Sequence, residues 1–115
     1  MKHMATAAGV AAALAAVTCS AAPPVDRTEI RALLYDFEVA SYCGLVTDDV
    51  GEGFRSKLAA LVERGRVGRD EMNALRGRAW QDAHEEWQNR GLGGFRAWCR
   101  GDARRAAERL AAEPP

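Results

Sequence analysis

The stretch DRTEIRALLYDFEVASYCG, residues 26–44, decides how the chain is read. Ile30, Leu33, Leu34, Phe37 and Ser41 recur at three- and four-residue intervals, which is the spacing of one face of an α-helix. Asp26 or Thr28 can cap its start, and Glu29 stands three residues after Asp26 as a capping box requires. Cys43 closes the pattern and Gly44 stops it, because glycine accepts the left-handed conformation in which helices end.

The same reading continues toward the C-terminus. Thr47 followed by Asp48 and Asp49 marks a second start, since carboxylates in a first turn complement the helix dipole. Val50, Phe54, Leu58, Leu61 and Val62 form its stripe, and Gly65 is the expected end. A third helix opens with Asp70 and Glu71, carries Met72, Leu75, Ala79, Ala83 and Trp87, and closes at Gly91. A short turn, residues 91–94, leads to a fourth bearing Phe95, Trp98, Cys99, Ala103, Ala106 and Leu110. No alternating strand pattern of useful length intervenes. The expected fold is therefore all-α, a compact bundle of about four short helices.

Residues 1–21 have another character. Lys2 precedes an uncharged stretch, residues 4–17, that is mostly Ala, Val and Leu. Fourteen apolar residues fall short of the roughly 20 that span a bilayer, and small residues then break the run, so residues 1–21 read as a secretory signal peptide cut after Ala21. The mature chain, residues 22–115, is then a single small helical domain of the periplasm with no stable membrane insertion. A rival route lipidates Cys19 and anchors the chain there, although Thr18 fits the lipoprotein box poorly. Either route leaves Cys43 and Cys99 as the two cysteines able to pair. Export to an oxidising compartment and an even count predict one disulfide between them. Closing a 56-residue span contributes roughly 4 kcal/mol in the chain-entropy treatment.

Charge excludes some partners. The mature chain holds 15 basic and 16 acidic residues, so no global field favours nucleic acid or anionic lipid. The signs alternate along the chain: residues 22–52 carry −5, 53–69 carry +4, 70–89 carry −3 and 90–115 carry +3. Consecutive helices of opposite sign attract when they pack as neighbours, whereas a nucleic-acid binder would gather its arginines on one face. Lys57 is the sole mature lysine, which reads as genomic composition.

Few residues offer chemistry. His84 is the one histidine left after signal cleavage, and with Asp82 and Glu85 it could make at most a loose metal site; a solvated polar face is the simpler reading. A hydrolytic triad would need His84 beside Ser41 or Ser56, neither of which has a nucleophile motif around it. Residues 48–52 lack the alternating ligands of a calcium loop. The glycines at 91, 93 and 94, with Arg90 and Arg96 beside them, could present N–H groups to an anion, yet a tight interhelical turn explains them without a ligand. No catalytic, metal or cofactor site is expected, and the chain is read as a non-enzyme.

The aromatic residues carry the remaining signal. Tyr35 and Tyr42 fall about 120° to 140° from Ile30 on a helical wheel, in line with Arg31 and Glu38. Trp80 and Trp87 lie on the shoulder of the third stripe. These rings either seal the edges of a small core or form a partner surface of Arg31, Tyr35, Glu38 and Tyr42, since Tyr, Trp and Arg are common interface anchors.

The strings YDFEVASYCGLV, residues 35–46, and NRGLGGFRAWC, residues 89–99, resemble those of small uncharacterised exported proteins of Gram-negative bacteria, a group whose resemblance implies no activity. In size and single-disulfide plan the chain is also similar to periplasmic acid-stress chaperones and helical immunity proteins, by architecture alone. The expected function is binding of a protein or small-molecule partner without catalysis; the alternatives are a periplasmic chaperone-like or immunity-type protein and a small hydrolase using His84.

Overall fold

The computed structural model describes Gly9 and residues 27–113. The expected signal peptide and its cleavage site, Cys19, the Asp26 cap and the final prolines lie outside the described residues. The helices are α1 (Arg27–Tyr42), α2 (Asp48–Gly65), α3 (Arg69–Asn89), α4 (Gly94–Trp98) and α5 (Arg104–Ala111), the last two joined without a break by a π-helical turn, Cys99–Ala103. Among the described residues there is no strand. The all-α fold with four helical rods is thus as read from the sequence, and Cys43 is joined to Cys99 with Cα atoms 5.3 Å apart.

Helix ends follow local chemistry. Gly44, at φ +65°, closes α1: Leu45 N–H reaches the Ala40 carbonyl and Gly44 N–H the Ser41 carbonyl, the paired bonds of a Schellman motif. Thr47 caps α2 by accepting from the Val50 N–H. At the far end of α2 the expectation shifts by one residue. Arg66, not Gly65, is the left-handed residue, at φ +49°, and the same bond pair runs from Val67 to Val62 and from Arg66 to Glu63. Val67 packs against the core together with Val62. Packing that partly buried valine, two places beyond the helix, favours the left-handed turn at Arg66 against the strain of a side chain there.

Among the described residues, the fourth rod contains the one irregular helical turn. In an unbroken α-helix, Trp98 and Ala103 would lie about 140° apart around the axis. The wider π turn between them brings both inward, so Trp98, Ala103, Ala106 and Leu110 are all buried.

Packing centres on α1, which touches α2, α3, α5 and the π turn. Phe37 stacks on Phe54 of α2 at 4.1 Å between centroids. One core cluster joins Ile30, Leu34, Val50, Phe54, Leu58, Leu61 and Leu110. A second, around the disulfide, joins Val39, Ala83, Trp98, Ala103 and Ala106. Helices α2 and α5 approach so closely that a Cβ on Gly53 would lie 1.9 Å from the Leu110 carbonyl oxygen. Lys57 then donates to the carbonyls of Leu110 and Ala112, at 2.7 and 2.6 Å, and so caps the end of α5. Lys57 therefore has a structural task.

The segment charges do not map onto the helices. Asp48, Asp49 and Glu52 fall within α2, which thereby carries a net −1, and α1 packs extensively on α3 although both are net negative. Individual pairs govern the contacts: Arg27 bonds Glu71 at 2.7 Å, Arg31 bonds Asp82 at 3.1 Å, and Arg109 grips Asp36 through two bonds of 2.9 and 2.8 Å. Net charge counts every exposed side chain, whereas packing answers to buried apolar area and to the few charges in range.

Candidate functional site: an aromatic row on the third helix

Helix α3 is the longest, at 21 residues, and it buries only Ala79 and Ala83. Two alanines let its backbone settle close on α1. Arg27 meets Glu71 near both helix starts, and Tyr42 meets His84 near both ends, so α1 and α3 run in the same direction. Trp80, His84 and Trp87 stand at i, i+4 and i+7, one shoulder of α3.

Their rings are in mutual contact. His84 lies flat on Trp80 at 4.9 Å between centroids, with 8° between planes, and 5.9 Å from Trp87. Tyr42 stacks on Trp87 at 5.7 Å, and its hydroxyl shares a 2.7 Å hydrogen bond with His84 Nδ1. Trp98 closes the row from beneath, 6.4 Å from Tyr42 and 2% exposed. The disulfide neighbours this cluster through Cys43, the residue after Tyr42, and Cys99, the residue after Trp98, so it anchors both ring-bearing backbones.

The outer rings remain in water. Trp80 is 51% exposed and Trp87 40%, although Trp87 belongs to the apolar stripe read from the sequence. The stripe continues past the helix end: Phe95 is 41% exposed and Leu92 fully so. Trp87, Leu92 and Phe95 line a shallow groove of about 450 Å³.

The four residues expected to form a partner surface lie along the α1–α3 seam. Arg31 is committed to Asp82. Tyr35 is half-buried beside a charged network in which Arg90 bonds Glu86 and Asp102, and Arg105 bonds Asp102. Burial first, and Glu86 next, push the Tyr35 hydroxyl above its ordinary pKa. Burial likewise raises the Glu38 carboxyl, while Arg76 opposes it. Tyr42 faces inward on the rings just described. The four therefore belong to a packed edge, and the open aromatic surface lies beside them on α3 and its following turn.

Other candidates resolve locally. Ser41 donates to the Phe37 carbonyl, as helical serines do. Among the described residues no group of His, Cys, Asp and Glu is placed to hold a metal ion, and no helix is long and apolar enough to cross a membrane. Gly91 and Gly93 adopt φ +67° and +83°, which only glycine reaches without strain, and they make the tight turn expected of them. Sequence reasoning set Trp87 and Phe95 on apolar stripes and left Trp87 either sealing the edge of the core or in a binding patch; it lacked the signal that α3 packs chiefly on α1. In comparison with known proteins, no family model, no curated protein and no solved structure matches the chain.

Proposed function

We propose that this chain is an exported, non-enzymatic binding protein that acts through the aromatic surface of α3 and the turn beyond it. The observation that carries the reading is the row Trp80, His84 and Trp87, continued by Leu92 and Phe95. Large rings left in water beside a well-satisfied core are what binding surfaces present, since tryptophan brings much apolar area at little conformational cost. The cluster is also held in place, by the Tyr42 bond and the neighbouring disulfide, so little ordering entropy is lost on binding. Chaperone-like and immunity-type roles are both forms of this reading.

The surroundings of His84 favour binding over hydrolysis. Its Nδ1 faces a tyrosine and one ring face is covered by Trp80, while the Ser41 hydroxyl is turned to its own helix. Export rests on the basic start, the short uncharged stretch and the small residues up to Ala21. Mass spectrometry of the exported protein should find Ala22 at or near its start, whereas an intact Met1 would overturn export.

The surface is tested with Trp80→Ala and Trp87→Ala combined. Circular dichroism should stay helical, and a saturable partner captured by the parent protein should be lost. Capture unchanged by the double substitution would overturn the assignment. His84→Ala should leave cellular function intact; its loss, with fold and capture preserved, would restore the enzyme.

A further inference from the structure

We propose that the trough between α1 and α2 binds a small organic cation with an apolar body, at a site separate from the aromatic row. Ala32 and Leu33 of α1 and Ala60 and Leu61 of α2 line it, and Ala112, beyond the end of α5, completes the wall. The alanines bring too little side-chain volume to fill the space between the rods, which leaves about 710 Å³ open to solvent. Clefts that take small ligands run from about 300 to 1,000 Å³ and often form between the helices of bundles.

Charge selects the kind of ligand. One end of the trough runs into a second hollow of about 370 Å³, and Ser56, Lys57, Ala112 and Glu113 line both. Carboxylates of Asp49, Glu52 and Glu113 border this hollow against the single cation of Lys57, a net −2. Among the described residues none of the three carboxylates is in an ion pair. Lys57 is taken up by the carbonyls of Leu110 and Ala112, and Arg109, on the trough wall, is held by Asp36. Arg64 stands at the other end, eight residues along α2 from Ser56, or about 12 Å. Glu29 is at that end as well, because Arg27 bonds the Gly65 carbonyl there. A negative hollow beside an apolar wall concentrates its field on a cation and repels an anion. Among the described residues no group of carboxylates closes on a metal ion, so the cation that fits is a bulkier one whose body lies along Leu33 and Leu61.

The test uses the exported protein and three probes, n-octylammonium, octanoate and n-butylammonium, each below the concentration at which it forms micelles. Calorimetry should show saturable octylammonium binding that salt weakens, with octanoate inert. Butylammonium, four methylenes shorter, should bind more than about tenfold more weakly. Amide resonances of Leu33, Ser56 and Ala60 should shift on binding. Glu52→Gln with Glu113→Gln should weaken octylammonium about fivefold, as expected for two exposed charges, and leave the melting temperature in place. Ala60→Phe, at an exposed position, fills the trough and should weaken it by more than about tenfold. Equal binding of octanoate, binding of neither probe, or indifference to both sets of substitutions would overturn the proposal. Shifts confined to the Trp80 and Trp87 indoles would overturn it and give the cation to the aromatic row. A dimer that Ala60→Phe dissociates, with no amine bound, would overturn it too and assign the trough to a second copy.

Discussion

Helices α2 and α3 are of similar length, 18 and 21 residues, yet they live differently in the fold. α2 buries Val50, Gly51, Phe54, Leu58 and Leu61, is capped by Thr47, and lies between α1 and α5. α3 buries two alanines, begins at Gly68 without a side-chain cap, and packs chiefly on α1. The first is a structural strut. The second is a long rod held along one edge, with its outer aromatic residues in water. The contrast teaches that a helix can be retained for what it displays, provided something else secures it; here the Cys43–Cys99 bridge, the Tyr42–His84 bond and two interhelical ion pairs do so.

The bridge is the largest lever on that contrast. Cys43→Ser, or reduction, should destabilise the protein by about 2 to 5 kcal/mol. Hydrogen exchange should show amides in the second half of α3 losing protection before those of α2. A melting temperature unmoved by reduction would break the comparison, because α3 would then be secured without the bridge.

Two glycines sharpen it further. Gly53→Ala drives a methyl group into the Leu110 backbone, and separating α2 from α5 should cost about 3 kcal/mol, read by denaturant unfolding. Gly77→Ala, on the open side of α3 with nothing within 4 Å, should stabilise by about 0.5 to 1 kcal/mol through helix propensity. The same substitution is thus expected to act with opposite sign on the two helices. Equal effects would show that α3 is as enclosed as α2.

Lys57→Met removes the donor that caps α5 and should cost about 1 to 2 kcal/mol, with Lys57→Arg recovering part of it. Thermal unfolding at moderate and high salt separates this cap from general screening.

The smallest effect is at the seam between α1 and α3. Burial raises the folded-state pKa of Glu38 above its unfolded value, so the folded protein holds its proton more tightly. The resulting penalty is absent below the ordinary carboxylate range and grows as pH rises through the raised value. Glu38→Gln should therefore be slightly more stable than the parent at neutral pH, and the gap should close on acidification. A gap that widens toward acid would show that Arg76 outweighs burial.

Much of the fold was legible along the chain. The 3.6-residue spacing of Ile30, Leu34, Phe54, Leu58 and Leu61, the Thr47 cap and the Gly44 stop are local facts, governed by backbone geometry and neighbouring residues. The pairing of Cys43 with Cys99 followed from elimination among three cysteines. Those features belong to the sequence by itself, because each depends on residues within a few positions or on a count. The tertiary structure alone decided the rest. It turned Arg66 left-handed so that Val67 could pack against the core, opened a π turn so that Trp98 and Ala103 share one face, and gave Lys57 the end of α5 to cap. It set like-signed segments together through single ion pairs. It left Trp87 and Phe95 in water, since a periodic stripe states which side chains could be covered but not whether a neighbour arrives to cover them.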